Sequence, residues 1–107
     1  MTYYVRTVVT LKLGQNPGYY ELMARLVPLI ATQGWKLVFG LQPFIGELRE
    51  LTHIWEVERF EDIERALLWC YTDPVAQEVL APMPQLLHNE MFQIMTETPY
   101  SPGGTSA

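Results

Sequence analysis

Apolar and polar residues alternate with a period of two in four stretches of the chain, and with helical spacing in the stretches between them. Residues 3–13, YYVRTVVTLKL, put Tyr3, Val5, Thr7, Val9, Leu11 and Leu13 on one face of a strand and Tyr4, Arg6, Val8, Thr10 and Lys12 on the other. One face is nearly all apolar and the other is mixed, as in a sheet covered by helices on one side. Asn16–Pro17 predicts a helix start, a capping side chain followed by proline in the first turn. The helix should run to about Gln33 on a stripe of Leu22, Met23, Leu26, Val27, Leu29 and Ile30. Pro28 should bend it and Gly34 should cap its end. A second strand spans 35–43, where Trp35, Leu37, Phe39 and Leu41 alternate with Lys36, Val38, Gly40 and Gln42. After a turn around Gly46, a third strand at 49–58 should form an antiparallel hairpin with it. A second helix follows, with Ile63, Ala66, Leu67 and Cys70 on one face and Glu61, Asp62 and Glu64 in its dipole-positive first turn. Asp73–Pro74 repeats the cap-and-proline signal and starts a shorter helix over 74–81, ended by Pro82 and Pro84. Residues 89–97 make a fourth strand. Residues 99–107 are a turn-rich tail, expected to be partly disordered, behind one domain of residues 1–98.

The order β–α–β–β–α–β specifies an α+β, ferredoxin-like fold with a four-stranded antiparallel sheet. Its helices cover one face. The other face keeps Val8, Val38 and one of the two alternating sets of the third strand, and a half-apolar sheet face left in water invites association. Two copies joined through those faces, enclosing a shared space as a dimeric α/β barrel, are the expected solution.

Six segments carry a resemblance to a known family: TLKLG at 10–14, KLVFG at 36–40, IGEL at 45–48, THIWEVERFEDIERA at 52–66, DPVAQEVL at 73–80 and PYSP at 99–102. In that order and spacing the chain resembles the NIPSNAP family of the dimeric α/β-barrel superfamily, with His53–Ile54–Trp55–Glu56 the most specific segment. The resemblance implies the same fold and a homodimer. It implies less about function, because the wider superfamily holds cofactor-independent monooxygenases, isomerases, cyclases, haem-degrading enzymes and non-catalytic ligand sensors. There are departures too. Where the family's first strand commonly carries a glutamate and an arginine, this chain has Val5 and Thr7, and Arg49 stands near a common asparagine. Any chemistry those polar groups serve in relatives is lost or moved here.

Composition narrows the partners. The 107 residues carry a formal net charge of −5 with only seven Lys and Arg, none in a run, which disfavours nucleic acid and anionic membranes. No apolar run approaches the ~20 residues that span a bilayer, and the strand-like start does not read as a signal peptide, so a cytoplasmic location is expected. A single cysteine, Cys70, excludes an internal disulfide and a cysteine-rich zinc site. No phosphate loop, dinucleotide fingerprint or nucleophile elbow is present, and no cofactor is expected.

Candidate chemistry centres on His53, the one histidine expected within a regular element, with an unperturbed pKa near 6.5 suited to general acid–base work. We place it with Trp55 on the sheet face opposite the helices, across from Val38, Gly40 and Gln42, where Gly40 leaves room for a ligand. The competing reading is a histidine hydrogen-bonded in the core or at an interface. Tyr4 and Arg6, on the first strand's less apolar face, either hydrogen-bond a carbonyl or phenolate or lie at the surface. Trp35, Trp55 and Trp69 either line an aromatic pocket or anchor packing. Trp69, off the core stripe, is a candidate contact with a neighbouring subunit. Cys70 reads as core, and the acidic run from Glu56 to Glu64 as a solvated strand end and helix start. The function expected is a small-molecule-binding, cofactor-independent enzyme of the isomerase, cyclase or monooxygenase type. It would act on a hydrophobic metabolite of the natural-product kind, with His53 moving a proton and Trp55, Gln42 and Arg6 positioning the ligand. The alternative is a non-catalytic binding or assembly module.

Overall fold

A computed structural model describes residues 1–103 of the chain. The elements run β1 (Tyr3–Leu11), α1 (Asn16–Ala31), β2 (Lys36–Leu41), β3 (Glu50–Val57), α2 (Phe60–Thr72), α3 (Pro74–Leu80), α4 (Met83–Leu86) and β4 (Leu87–Met95). The four strands form one antiparallel sheet in the order β2-β3-β1-β4, the ferredoxin-like arrangement expected from the pattern.

Register decides the faces. β1 pairs with β3 so that Val5 lies beside Trp55, Thr7 beside His53 and Val9 beside Leu51, and with β4 so that Thr7 lies beside Phe92 and Val9 beside Glu90. This set points at the helices. Val5, Val9, Leu51, Trp55 and Val57 are buried there against Leu22, Leu26 and Ile30 of α1, Ile63 and Ala66 of α2, and Val79 of α3. Each such side chain contributes about 1.5–3 kcal/mol on leaving water. The placement of His53 and Trp55 on the face away from the helices is therefore corrected: both face the helices. Leu51, Trp55 and Val57 outweigh the set Thr52, Ile54 and Glu56 in apolar area, and the wetter set turns outward.

Local chemistry explains several boundaries. Asn16 is not the cap of α1. Gln15 occupies that position without a side-chain cap, and the Asn16 amide donates to the Leu48 carbonyl at 3.2 Å, tying α1 to the β2–β3 loop. Gly34 follows α1 at φ +97°, where a Cβ would lie 2.9 Å from Asp62 Oδ2. Asp73 does cap α3, accepting from the Val75 and Ala76 N–H groups at 3.0 Å each. Pro82 and Pro84 end α3 as expected but also open the single turn α4, so β4 begins at Leu87 and takes in His88, which is exposed. Asp62 departs from the solvated acidic run: it is buried, 3.2 Å from the Arg65 guanidinium. Trp69 is half-buried against the molecule's own core. The tail starts with a hydrogen-bonded turn, Ser101 N–H to the Thr98 carbonyl at 3.1 Å, and the expected disorder of its end falls on 104–107, outside the described residues.

Candidate functional site

Two cavities open between sheet and helices, separated by the side chains of Tyr19 and Met23 from α1. Tyr19 stands on α1 in register with Leu22, Leu26 and Ile30, so the same stripe that builds the core supplies the partition.

The first cavity, about 530 Å3, lies between α1 and the β2–β3 hairpin and brings together His53, Gly40 and Gln42. Its volume falls within the range of small-molecule sites. His53 is 6% exposed, and its Nδ1 has no hydrogen-bond partner among the described residues. Its ring packs 5.9 Å from that of Tyr19 and stacks on Trp55 at 6.3 Å, which fixes the imidazole plane. Burial holds its pKa below the ordinary histidine value, which favours the uncharged ring. Gly40 lies beside His53 across the β2–β3 pairing, and a Cβ there would come within 3.8 Å of the imidazole, so its absence keeps the approach open. The Tyr20 hydroxyl donates to Gln42 Oε1 at 2.8 Å across the cleft, leaving the Gln42 amide NH2 to meet a ligand oxygen. Pro28, inside α1, offers no N–H to the Ala24 carbonyl, and both residues line this cleft.

The second cavity, about 510 Å3, lies on the other side of Tyr19, under α2, α3 and α4 and against β4. Trp55 belongs to it, in a row of rings with Trp35 (5.8 Å) and Phe92 (6.2 Å from Trp35). The Trp35 indole N–H donates to the Asp62 carbonyl at 3.0 Å, so its polar edge is satisfied away from the cavity. Cys70 lines the same space, and burial pushes its thiol up, away from the thiolate a nucleophile needs. Glu90 stands at the cavity's mouth, and desolvation raises its carboxyl above the ordinary value.

Of the residues singled out from sequence, His53, Gly40 and Gln42 thus meet in one cleft and Trp55 backs His53 from the next. Tyr4 and Arg6 lie on the sheet's other face, in register with Glu56 and Ile54, and Arg6 donates to Gln93 Oε1 at 3.2 Å. Val38 sits at the bulge between Leu37 and Phe39, outside the lining of either cavity. Tyr19, Glu90 and Phe92 escaped the sequence reading. Tyr19 completes the helical spacing of α1, and Glu90 and Phe92 alternate onto the face of Thr7 once β4 is paired. Among the described residues no group of three or more His, Cys, Asp or Glu side chains is placed to hold a metal ion. No helix there is long and apolar enough to cross a membrane.

Several solved structures share this architecture. A NIPSNAP family protein of unknown function from Agrobacterium tumefaciens superposes with a TM-score of 0.82 at 22% identity, over 94% of this chain and 92% of that one. A second NIPSNAP family protein from the same organism gives 0.83 at 18% identity, over 96% and 99%. SnoaB, a cofactor-independent oxygenase from Streptomyces nogalater, gives 0.74 at 15% identity, over 94% and 97%, a likeness of fold alone. No curated protein matches the chain in sequence. The NIPSNAP family model matches residues 4–102, and the chain belongs to the NIPSNAP family.

Proposed function

We propose that this chain is a homodimeric small-molecule-binding protein that holds a hydrophobic metabolite between sheet and helices and transforms it without a cofactor. The reaction is of the isomerase, cyclase or monooxygenase kind used in natural-product biosynthesis. One observation carries this reading: His53, whose ring forms no hydrogen bond with a described residue, stands in the wall of a cleft of about 530 Å3. Nδ1 is sealed inside the fold, whereas Nε2 is not among the sealed atoms, so the ring would exchange a ligand proton through Nε2.

In the proposed step His53 takes a proton from an acidic C–H or O–H of the ligand, and the electron pair stays on the ligand as an enolate or phenolate. Returning the proton to a different atom completes an isomerisation or a ring closure. In the oxygenase variant dioxygen is the co-reactant for the electron-rich anion: one oxygen atom stays on the attacked carbon as a carbonyl, and the other leaves as water with the two hydrogens that carbon carried. Gln42 hydrogen-bonds the developing oxyanion through its amide, held in place by Tyr20. Gly40 leaves the approach clear, and Trp55 keeps the imidazole oriented. The fold shared with a cofactor-independent oxygenase is in keeping with this chemistry. Tyr4, Arg6 and Val38 have no place in the cleft of one chain, and their face is the one assigned to the dimer.

The test is turnover of a panel of polycyclic phenols and enolisable diketones, with oxygen uptake and product mass recorded in air and under nitrogen. One class should be converted, and His53→Ala should lower its rate by about a hundredfold, the scale of a lost general base. A rate within twofold of the parent removes His53 from the mechanism. Binding without conversion by any class would make the protein a ligand-binding module instead.

A further inference from the structure

The cleft at His53 leaves the second cavity without a role, although it is nearly as large at about 510 Å3 and is walled by seven of the eight elements, all but β2, together with Trp35. Its chemistry is lopsided. Among the described residues, one ionisable carboxyl, Glu90, lies in its wall and no lysine or arginine does. Glu90 is placed there by register: it pairs with buried Val9, so it shares the helix-facing side of the sheet with Phe92. It forms no ion pair with any described residue. Apart from Thr7 and Gln77, which are uncharged, the rest of the wall is apolar or aromatic. Phe92 and Tyr71 offer exposed rings, 42% and 78%, with Leu67 beside them and the indoles of Trp35 and Trp55 behind.

We propose that this second cavity binds a hydrophobic ammonium ligand, a protonated amine on an aromatic or alkyl body, whose charged end pairs with Glu90 at the mouth. An anionic ligand of the same shape would meet the Glu90 carboxylate, exposed at the rim, and no compensating cation in the wall. A neutral one would gain hydrogen bonds without the ionic attraction to Glu90. An ammonium group satisfies the carboxylate and lies against aromatic faces, whose negative quadrupoles attract it. The body of the ligand takes the apolar depth under α2 and α3. Desolvation already disfavours the Glu90 carboxylate, so a cation brought beside it relieves a cost the empty cavity carries. The proposal stands apart from the His53 cleft: Tyr19 and Met23 separate the two, and either reading can fail alone.

Three matched probes test it: 4-phenylbutylamine, 4-phenylbutanol and 4-phenylbutyrate, titrated into the full chain at pH 7.5 by calorimetry. The amine should bind about tenfold tighter than the alcohol and tighter still than the carboxylate, a difference of about 1.4 kcal/mol. Glu90→Gln should bring amine and alcohol within about twofold. Glu58→Gln changes the net charge equally at an exposed site and should leave the preference intact, which separates local pairing from the general negative charge. Leu67→Trp, which fills the cavity from a partly exposed position, should abolish binding of all three probes. Equal affinity for amine and carboxylate, no binding of the amine at millimolar concentration, or an amine preference that survives Glu90→Gln or Leu67→Trp would each overturn the proposal.

Discussion

Trp35 and His53 are both buried polar-edged rings, and the difference between them is whether the edge has a partner. The Trp35 N–H reaches the Asp62 carbonyl at 3.0 Å and pins the start of β2 to the start of α2. Trp35→Phe removes that additional hydrogen bond and leaves a void beside Trp55. It should lower stability by about 2–4 kcal/mol in urea denaturation. A loss under about 1 kcal/mol would mean that the hydrogen bond contributes little. His53 has no such partner, and burial lowers its pKa from the ordinary 6.5. The sign follows from linkage. A folded-state value below the unfolded one means that the unfolded chain takes up the proton first. The native state then loses stability as pH falls through about 6.5 and stops losing it below the folded value. His53→Gln should flatten that decline when unfolding free energies are compared at pH 7.5 and 5.5. An unchanged decline would place its origin elsewhere.

At the scale of elements, the α1–β2 connection shows how a turn and a helix start share one space. Gly34 stands at φ +97°, and any side chain there would meet the Asp62 carboxylate, which Arg65 holds at 3.2 Å. Gly34→Ala adds left-handed backbone strain to that encounter and should cost about 1–3 kcal/mol, visible as a lower thermal midpoint. A midpoint at or above the parent's would show that the turn relaxes freely. The sequence marked Gly34 as a helix terminus but not its second constraint, because nothing in a linear pattern places residue 62 against residue 34. The same limit applies to Asn16. Its type and its proline neighbour predicted a cap, and the fold used its amide to hold the β2–β3 loop instead.

At the scale of the molecule, the sheet face away from the helices stays uncovered in the single chain. Phe39, Leu41, Met91 and Met95 are exposed on it, around half-buried Val8 and Ile54. The homodimer proposed above would seat a second copy on this patch, with Phe39 and Met91 of each copy meeting by two-fold symmetry. Light scattering should give twice the chain mass. Ile54→Lys should reduce it to the chain mass while circular dichroism keeps the strand and helix content, since Ile54 faces away from the core. A parent protein that is monomeric at tens of micromolar would overturn the dimer and with it the proposed role of this face.

The sequence by itself determined the elements, their order and the apolar side of β1, because periodicity and turn chemistry are local and each stretch carries its own signal. It also marked His53, Gly40 and Gln42, which the fold gathers into one cleft. Only the tertiary structure decided which way that cleft points. A strand's two faces differ by one residue of register, and register is fixed by partners far along the chain: Thr7 beside His53, and Val9 beside Glu90. That pairing moved His53 and Trp55 to the helix side and separated them from Tyr4 and Arg6. It also drew Tyr19 of α1 and Glu90 and Phe92 of β4, two distant segments, into the walls of two cavities that no spacing in the sequence could have shown.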